Sequence, residues 1–90
     1  MFTIRFQGLR IAVSLSAARE LAREEKTMYD VLEILDVGYN APRKRKEGTL
    51  EKWLDKRDKT YNAVIARDYD DFMKEEVWVL IHFGKFTKHK

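Results

Sequence analysis

The sequence predicts an α+β fold in which two N-terminal helices pack on one face of a mostly antiparallel sheet of three to five strands. Two amphipathic helical stretches lie between residues 14 and 37, and three apolar or alternating segments follow residue 49. A run of helices followed by a run of strands is typical of α+β domains. Because 90 residues suffice for one domain, we assign 1–90 to a single unit.

Short alternating segments precede the helices. Apolar side chains occupy every second position in 2–6 and again in 9–13, on either side of Gln7-Gly8. Two interpretations remain open: a hairpin that turns at Gly8, or one strand that bends there.

Both helices have recognisable start signals. The first is expected to begin near Ser14 or Ser16, whose hydroxyl can cap free amides. Thr27 to Asp30 fits a capping box, and apolar residues at 28, 31, 32 and 35 predict a helix over 28–37. Gly38 is expected to end it in the left-handed conformation.

The remaining chain predicts a loop over 39–49 and strands over 50–56, 60–67 and 77–83. A hairpin turn is expected at 56–59 and an acidic loop at 68–76. In the last strand, alternation places Val77, Val79, Ile81 and Phe83 under the helices, and Trp78, Leu80 and His82 on the outward face.

Charge favours an anionic partner. The chain has 18 Lys and Arg against 15 Asp and Glu, and residues 43–90 carry a net charge of +4. The alternative is a solvated surface with a mild excess of lysine. A chain rich in lysine and glutamate with few amides also has the composition toward which thermophile proteins drift.

Composition also excludes several classes of site. The absence of cysteine excludes disulfides and thiolate metal sites. No metal or cofactor is expected, and Asp68, Asp70 and Asp71 predict a solvated loop because their spacing fits no calcium loop. No apolar run approaches the roughly 20 residues of a spanning helix. We therefore expect a cytoplasmic protein with no membrane partner.

The basic residues of the second half are candidates for binding nucleic acid. If Lys52 and Lys56 share a strand face, they can line one phosphate backbone. The basic loop is alternatively a solvated turn. The candidates are Arg43, Lys44, Arg45, Lys46, Lys52, Lys56, Arg57 and Lys59.

Aromatic side chains accompany this charge. Trp53, Tyr61 and Trp78 can stack on unpaired bases if they are exposed, or they supply apolar area to a small core. His82 is the candidate for proton transfer inside a predicted strand, although a lone histidine there is commonly structural.

The order of a helix, a helix ended by Gly38, a basic loop and strands over Gly48–Asp58, Tyr61–Arg67 and Val77–Phe83 resembles the small uncharacterised domains related to RelE-type toxins of toxin–antitoxin systems. The resemblance covers roughly residues 14–87. It implies a sheet flanked by helices that engages RNA on a basic face, and in active relatives cleaves RNA without metal. Arg67 matches a family position by its place on the penultimate strand.

Three hypotheses follow. The first is an RNA-binding module. The second is a metal-independent ribonuclease in which Arg67 stabilises charge and Tyr61 or His82 transfers protons. The third is a module that binds an antitoxin-like protein, for which the Trp78 face should be apolar and exposed.

Overall fold

The computed structural model describes residues 4–43 and 45–87, and it contains two helices and one six-stranded sheet within them. The sheet order is β1-β2-β6-β5-β4-β3. The elements are β1 (Arg5–Phe6), β2 (Leu9–Val13), α1 (Leu15–Arg23), α2 (Met28–Val37), β3 (Tyr39–Asn40), β4 (Thr49–Lys56), β5 (Lys59–Asp70) and β6 (Glu75–Thr87).

The prediction of three to five mostly antiparallel strands was wrong. The six strands form a mixed half-barrel, because β2 pairs with β6 in parallel while the other neighbours are antiparallel. The short strand β3 lies inside the predicted loop, and two residues carry no periodicity that a sequence could reveal. Of the two interpretations of the first segment, the hairpin is correct, since Gln7 and Gly8 both have positive φ; Phe2 and Thr3 lie outside the described residues.

The helices do not form the N-terminal layer that was expected. They contact different parts of the sheet: α1 contacts β6, whereas α2 contacts β4, β5 and β1. Their start signals were confirmed. Ser14 accepts from the Ala17 amide, and Thr27 and Asp30 form the reciprocal capping box.

Gly38 ends α2 as predicted, but for a different reason. Its φ of −73° lies outside the left-handed region. A Cβ at this position would lie 2.3 Å from the Ile34 carbonyl oxygen and 2.5 Å from that of Trp53. Glycine is therefore required because the backbone of β4 passes directly against the end of the helix.

The core lies between the helices and one side of the sheet, and a bulge changes which residues of β6 reach it. Pairing shifts between Val64 and Ile65, so that Val64 opposes His82 while Ile65 opposes Leu80. Ile81 is the extra residue. Trp78, Leu80 and Phe83 are consequently all buried in the core, and the strict alternation predicted for 77–83 was wrong.

Strands β5 and β6 form a long hairpin whose outer end replaces the expected acidic loop. Pairing continues to Asp70 opposite Glu75 and leaves a turn only at 71–74. The turn predicted at 56–59 was confirmed, since Lys56 pairs with Lys59 and Arg57 has a φ of 60°.

Candidate anion-binding site

The side of the sheet away from the core carries a polar and aromatic set of side chains. Directly opposite residues of antiparallel strands project to the same side, so the register of β4, β5 and β6 fixes the members of this set. We call it the open face because it carries no helix layer among the residues that the structure describes, although Glu51, Thr60, Asn62 and Val64 are themselves buried. Its residues are Glu51, Trp53, Asp55, Thr60, Asn62, Val64, His82, Gly84 and Phe86.

A buried carboxylate lies at the centre of the open face. The Glu51 side chain is 1% exposed. Arg43 donates to it through Nε at 3.0 Å and Nη2 at 2.8 Å, and Arg45 through Nε at 2.9 Å. Trp53 Nε1 and Asn62 Nδ2 donate at 2.8 and 3.1 Å. These five residues form the Glu51 network, in which both carboxylate oxygens are fully used.

The network keeps Glu51 ionised. Burial alone would raise the pKa of this carboxyl, but the hydrogen bonds from Arg43, Trp53, Arg45 and Asn62 outweigh burial and hold the pKa far below its usual range. The pKa of Arg43 is raised, chiefly by its hydrogen bond to Glu51. One negative charge therefore lies between two positive ones, and the network carries a net charge of +1.

Glu51 also orients the two guanidinium groups. Because both Nε atoms donate to the same Oε1 atom, the groups lie side by side. Their side chains are 57% and 38% exposed. Within the described residues no acceptor binds Nη1 of Arg43 or either Nη of Arg45, so these donors face solvent. Arg43 and Arg45 border a recess of about 250 Å³ beside Asn40 and Thr49.

A second recess adjoins the first. It lies where the edge of β6, beyond the residues paired with β2, meets α1. Glu20 accepts from the Phe83 amide at 3.0 Å and contacts His82 Nδ1 at 2.9 Å. Glu24 pairs with Lys85 at 2.7 Å. We call the recess here, of about 300 Å³, the α1–β6 cleft. It is lined by Glu20, Arg23, Glu24, Arg43, Asn62, His82, Phe83, Gly84, Lys85 and Phe86.

Aromatic rings cluster on the open face, and one of them, Phe86, lines the α1–β6 cleft. Trp53 makes edge contacts with Tyr39 and Phe86, at centroid separations of 6.2 and 4.9 Å, and Arg43 lies over its ring at 5.8 Å. Tyr39 and Phe86 are 46% and 38% exposed. The open face thus presents partly exposed rings beside solvent-facing arginine donors.

The three predicted catalytic residues do not lie together. Tyr61 is on the core side beneath the Lys26 ammonium, whereas His82 is on the open face. Arg67 lies six residues from Tyr61 along β5, about 20 Å at 3.3 Å per residue. It pairs with Glu76 and lies over Trp78. They cannot all contact one scissile bond.

The predicted nucleic-acid-binding residues are also divided. Lys52 and Lys56 do share a strand face, but it is the face on which α2 packs, and Lys56 pairs with Glu33 at 2.6 Å. Lys59 bonds Thr87, and Arg57 and Lys46 are exposed. Lys44 lies outside the described residues. Of the predicted set, Arg43 and Arg45 lie together, because both bind the Glu51 carboxylate.

Several residues of the site were missed by sequence reasoning. Arg23 and Glu20 belong to an amphipathic helix whose polar side resembled any solvated surface. Glu51 is a single acid between a leucine and a lysine, and no pattern marks it as buried. Trp78, which the protein-interaction hypothesis required to be exposed, is 6% exposed, because the bulge turns it inward.

No family model, curated protein or solved structure matches the chain. In the described part of the chain, neither helix has the length and apolar character needed to cross a membrane. Residues 4–43 and 45–87 also contain no group of three or more histidine or carboxylate side chains placed to hold a metal ion.

Proposed function

We propose that the protein binds single-stranded RNA on the open face, with Arg43 and Arg45 contacting backbone phosphates. The observation that carries the proposal is the shared carboxylate of Glu51, which holds two guanidinium groups side by side with donors directed to solvent. Arginine matches the geometry of phosphate oxygens. Donors fixed before binding lose less entropy when the ligand arrives.

A single strand fits this surface better than a duplex. The recesses are small, and the open face carries two partly exposed rings, Phe86 in the cleft and Tyr39 beside Trp53. An unpaired base can stack on such a ring, whereas a duplex keeps its base faces covered. RNA is also the ligand implied by the resemblance to RelE-type domains.

Fluorescence anisotropy with an oligouridine of about 10 nucleotides tests the proposal. Arg45→Ala should weaken binding about tenfold, and the slope of log affinity against log salt should fall by about 0.7 because one phosphate contact is lost. Arg19→Ala removes an exposed arginine of α1 outside both recesses and serves as the matched control. Equal losses in both variants would show nonspecific attraction and contradict the site.

A metal-independent ribonuclease is the second candidate, and one observation favours it. Glu20 holds Nδ1 of His82 in the cleft that Arg23, Arg43 and Lys85 also line. If Nδ1 carries the proton, Nε2 can accept the proton of a ribose 2′-hydroxyl. Cleavage in EDTA that is lost in His82→Gln would support it. Intact RNA after prolonged incubation with folded protein would refute it.

A further inference from the structure

Side-chain hydrogen bonds and ion pairs hold the turn between β5 and β6. Asp70 Oδ1 accepts from the amides of Phe72 and Met73 at 3.0 and 3.1 Å. Arg10 of β2 pairs with the residues on either side of this turn, with Asp70 at 2.5 Å and with Glu75 at 2.9 Å. The turn is therefore fixed to the neighbouring strand.

This ordered turn displays apolar side chains. Phe72 is 92% exposed, Met73 57% and Tyr69 52%. We call residues 67–76 the hairpin tip. An ordered turn that displays exposed apolar side chains is a common feature of surfaces that bind other macromolecules, because its backbone has little conformational entropy left to lose.

The charge of the hairpin tip is opposite to that of the rest of the chain. The tip contains two basic and five acidic residues, a net charge of −3, while the whole chain carries +3. The other residues therefore carry +6. An acidic tip repels a phosphate backbone, so the occupant that suits it is a cationic protein surface with room for an aromatic ring.

We propose that the hairpin tip of one copy docks into the α1–β6 cleft of a second copy. The cleft has a volume of about 300 Å³, and Phe86 and Arg23 line it beside Lys85, which pairs with Glu24. Among the described residues Arg23 has no ion-pair partner, and Asp71 of the tip is likewise exposed and unpaired. Phe72 supplies the ring and Asp71 the counter-charge.

The tip cannot reach the cleft of its own chain. Asn62 of the cleft and Asp70 at the base of the turn lie on the same strand, eight residues apart, or about 26 Å at 3.3 Å per residue. The contact therefore joins two different surfaces of two copies. Such contacts build rings or open chains, not simple twofold dimers.

Sedimentation velocity without nucleic acid tests the proposal, so its result is independent of RNA binding. The wild type should form species larger than a monomer as concentration rises. Phe72→Ser and Arg23→Glu should each weaken this association about tenfold or more, since one loses the ring and the other the cation. Tyr29→Ser and Arg19→Glu are matched controls, because these side chains are exposed outside both surfaces.

The decisive arm mixes the two defective variants. Phe72→Ser retains its cleft and Arg23→Glu retains its tip, so an equimolar mixture should form a heterodimer that stops at two copies. A wild type that stays monomeric up to millimolar concentration overturns the proposal. So does a mixture that stays monomeric, or a loss of association in the control variants equal to that in the two defective ones.

Discussion

The Glu51 network and the hairpin tip each place a side chain where its polarity is unfavourable. The network buries a charged group, the Glu51 carboxylate, whose side chain is 1% exposed, whereas the tip exposes an apolar one, Phe72, which is 92% exposed. Each arrangement is held by directed hydrogen bonds: five reach the Glu51 carboxylate, and two backbone amides and Arg10 fix Asp70 at the tip. The comparison teaches that hydrogen bonds hold an unfavourably placed group in both regions: a buried charge in the network, and the backbone that carries exposed apolar side chains at the tip.

The largest difference in stability is expected between substitutions of two phenylalanines, Phe83 in the core and Phe72 at the tip. Phe83→Ala should lower the free energy of unfolding by about 3–5 kcal/mol, because Phe83 is 1% exposed and packs against Tyr61. Phe72→Ala should change it by less than about 0.5 kcal/mol. Urea denaturation of both variants measures the contrast, and a costly Phe72→Ala would mean that the tip packs against its own chain.

The next effect concerns the carboxylate at the centre of the open face. Glu51→Ala should cost about 2–4 kcal/mol of stability, since it leaves two arginines, Trp53 and Asn62 without their acceptor. Glu47→Ala, which removes an exposed glutamate from the same loop, is the matched control and should be within about 0.5 kcal/mol of wild type. Similar losses in the two variants would show that Glu51 is an ordinary surface charge.

The fall in unfolding free energy at acidic pH should reveal the contribution of the Glu51 carboxylate. The pKa of Glu51 is lowered on folding from an ordinary value of 4.5, so its contribution is fully present above that pH and is lost as pH falls. Glu51→Gln should therefore show a weaker fall in unfolding free energy than wild type between pH 5 and about 2. The pKa of Asp70 is lowered too, mainly by the Met73 amide, so some dependence should persist. Parallel curves of unfolding free energy against pH for the two proteins would show that Glu51 does not contribute to the acid sensitivity.

A fourth effect concerns the space on the open face. A Cβ on Gly84 would lie 2.9 Å from Asn62 Oδ1 and 3.1 Å from His82 Nε2, so Gly84→Ala should displace Asn62 and cost about 1–2 kcal/mol. Gly48 is no control because its φ is +84°. Ala12→Ser on β2, a half-buried position away from the network, should cost less. Unchanged Glu51 and Asn62 side-chain resonances in Gly84→Ala would argue against the tight fit.

The smallest effect is expected at the tip. Arg10→Ala should lower stability only slightly, because its pairs with Asp70 and Glu75 are partly solvated. The same change should raise amide hydrogen exchange at 71–74, since Arg10 joins the two ends of the turn. Arg5→Ala on the adjacent strand is the control. Unaltered exchange at 72 and 73 would show that Asp70 alone fixes the turn.

The sequence predicted local structure better than it predicted the sheet. Thr27 and Asp30 act within one turn of helix, so their capping box could be recognised and was confirmed. The bulge at Ile81 and the parallel pairing of β2 with β6 depend on contacts between distant segments. A local pattern cannot show them, and the face of Trp78 was consequently wrong.

The site was predictable only in part for the same reason. Arg43 and Arg45 were found because a basic run is visible as composition. Their organisation was not, because it comes from Glu51 and Asn62, which β4 and β5 bring together by pairing. Lys52 and Lys56 show the converse: their even spacing was interpreted correctly, but the face they share carries α2.

The central claim is that Glu51 presents the Arg43 and Arg45 guanidinium groups to a phosphate backbone. The most direct measurement is to follow the arginine Nε–H resonances by NMR while a single-stranded oligouridine is added. Hydrogen bonds to the buried carboxylate should slow exchange of these two protons and make them visible. The account predicts that both shift and saturate together, while the Nε–H of Arg10, which donates to Glu75 outside both recesses, stays unmoved. Saturable binding that leaves the Arg43 and Arg45 signals in place would contradict it.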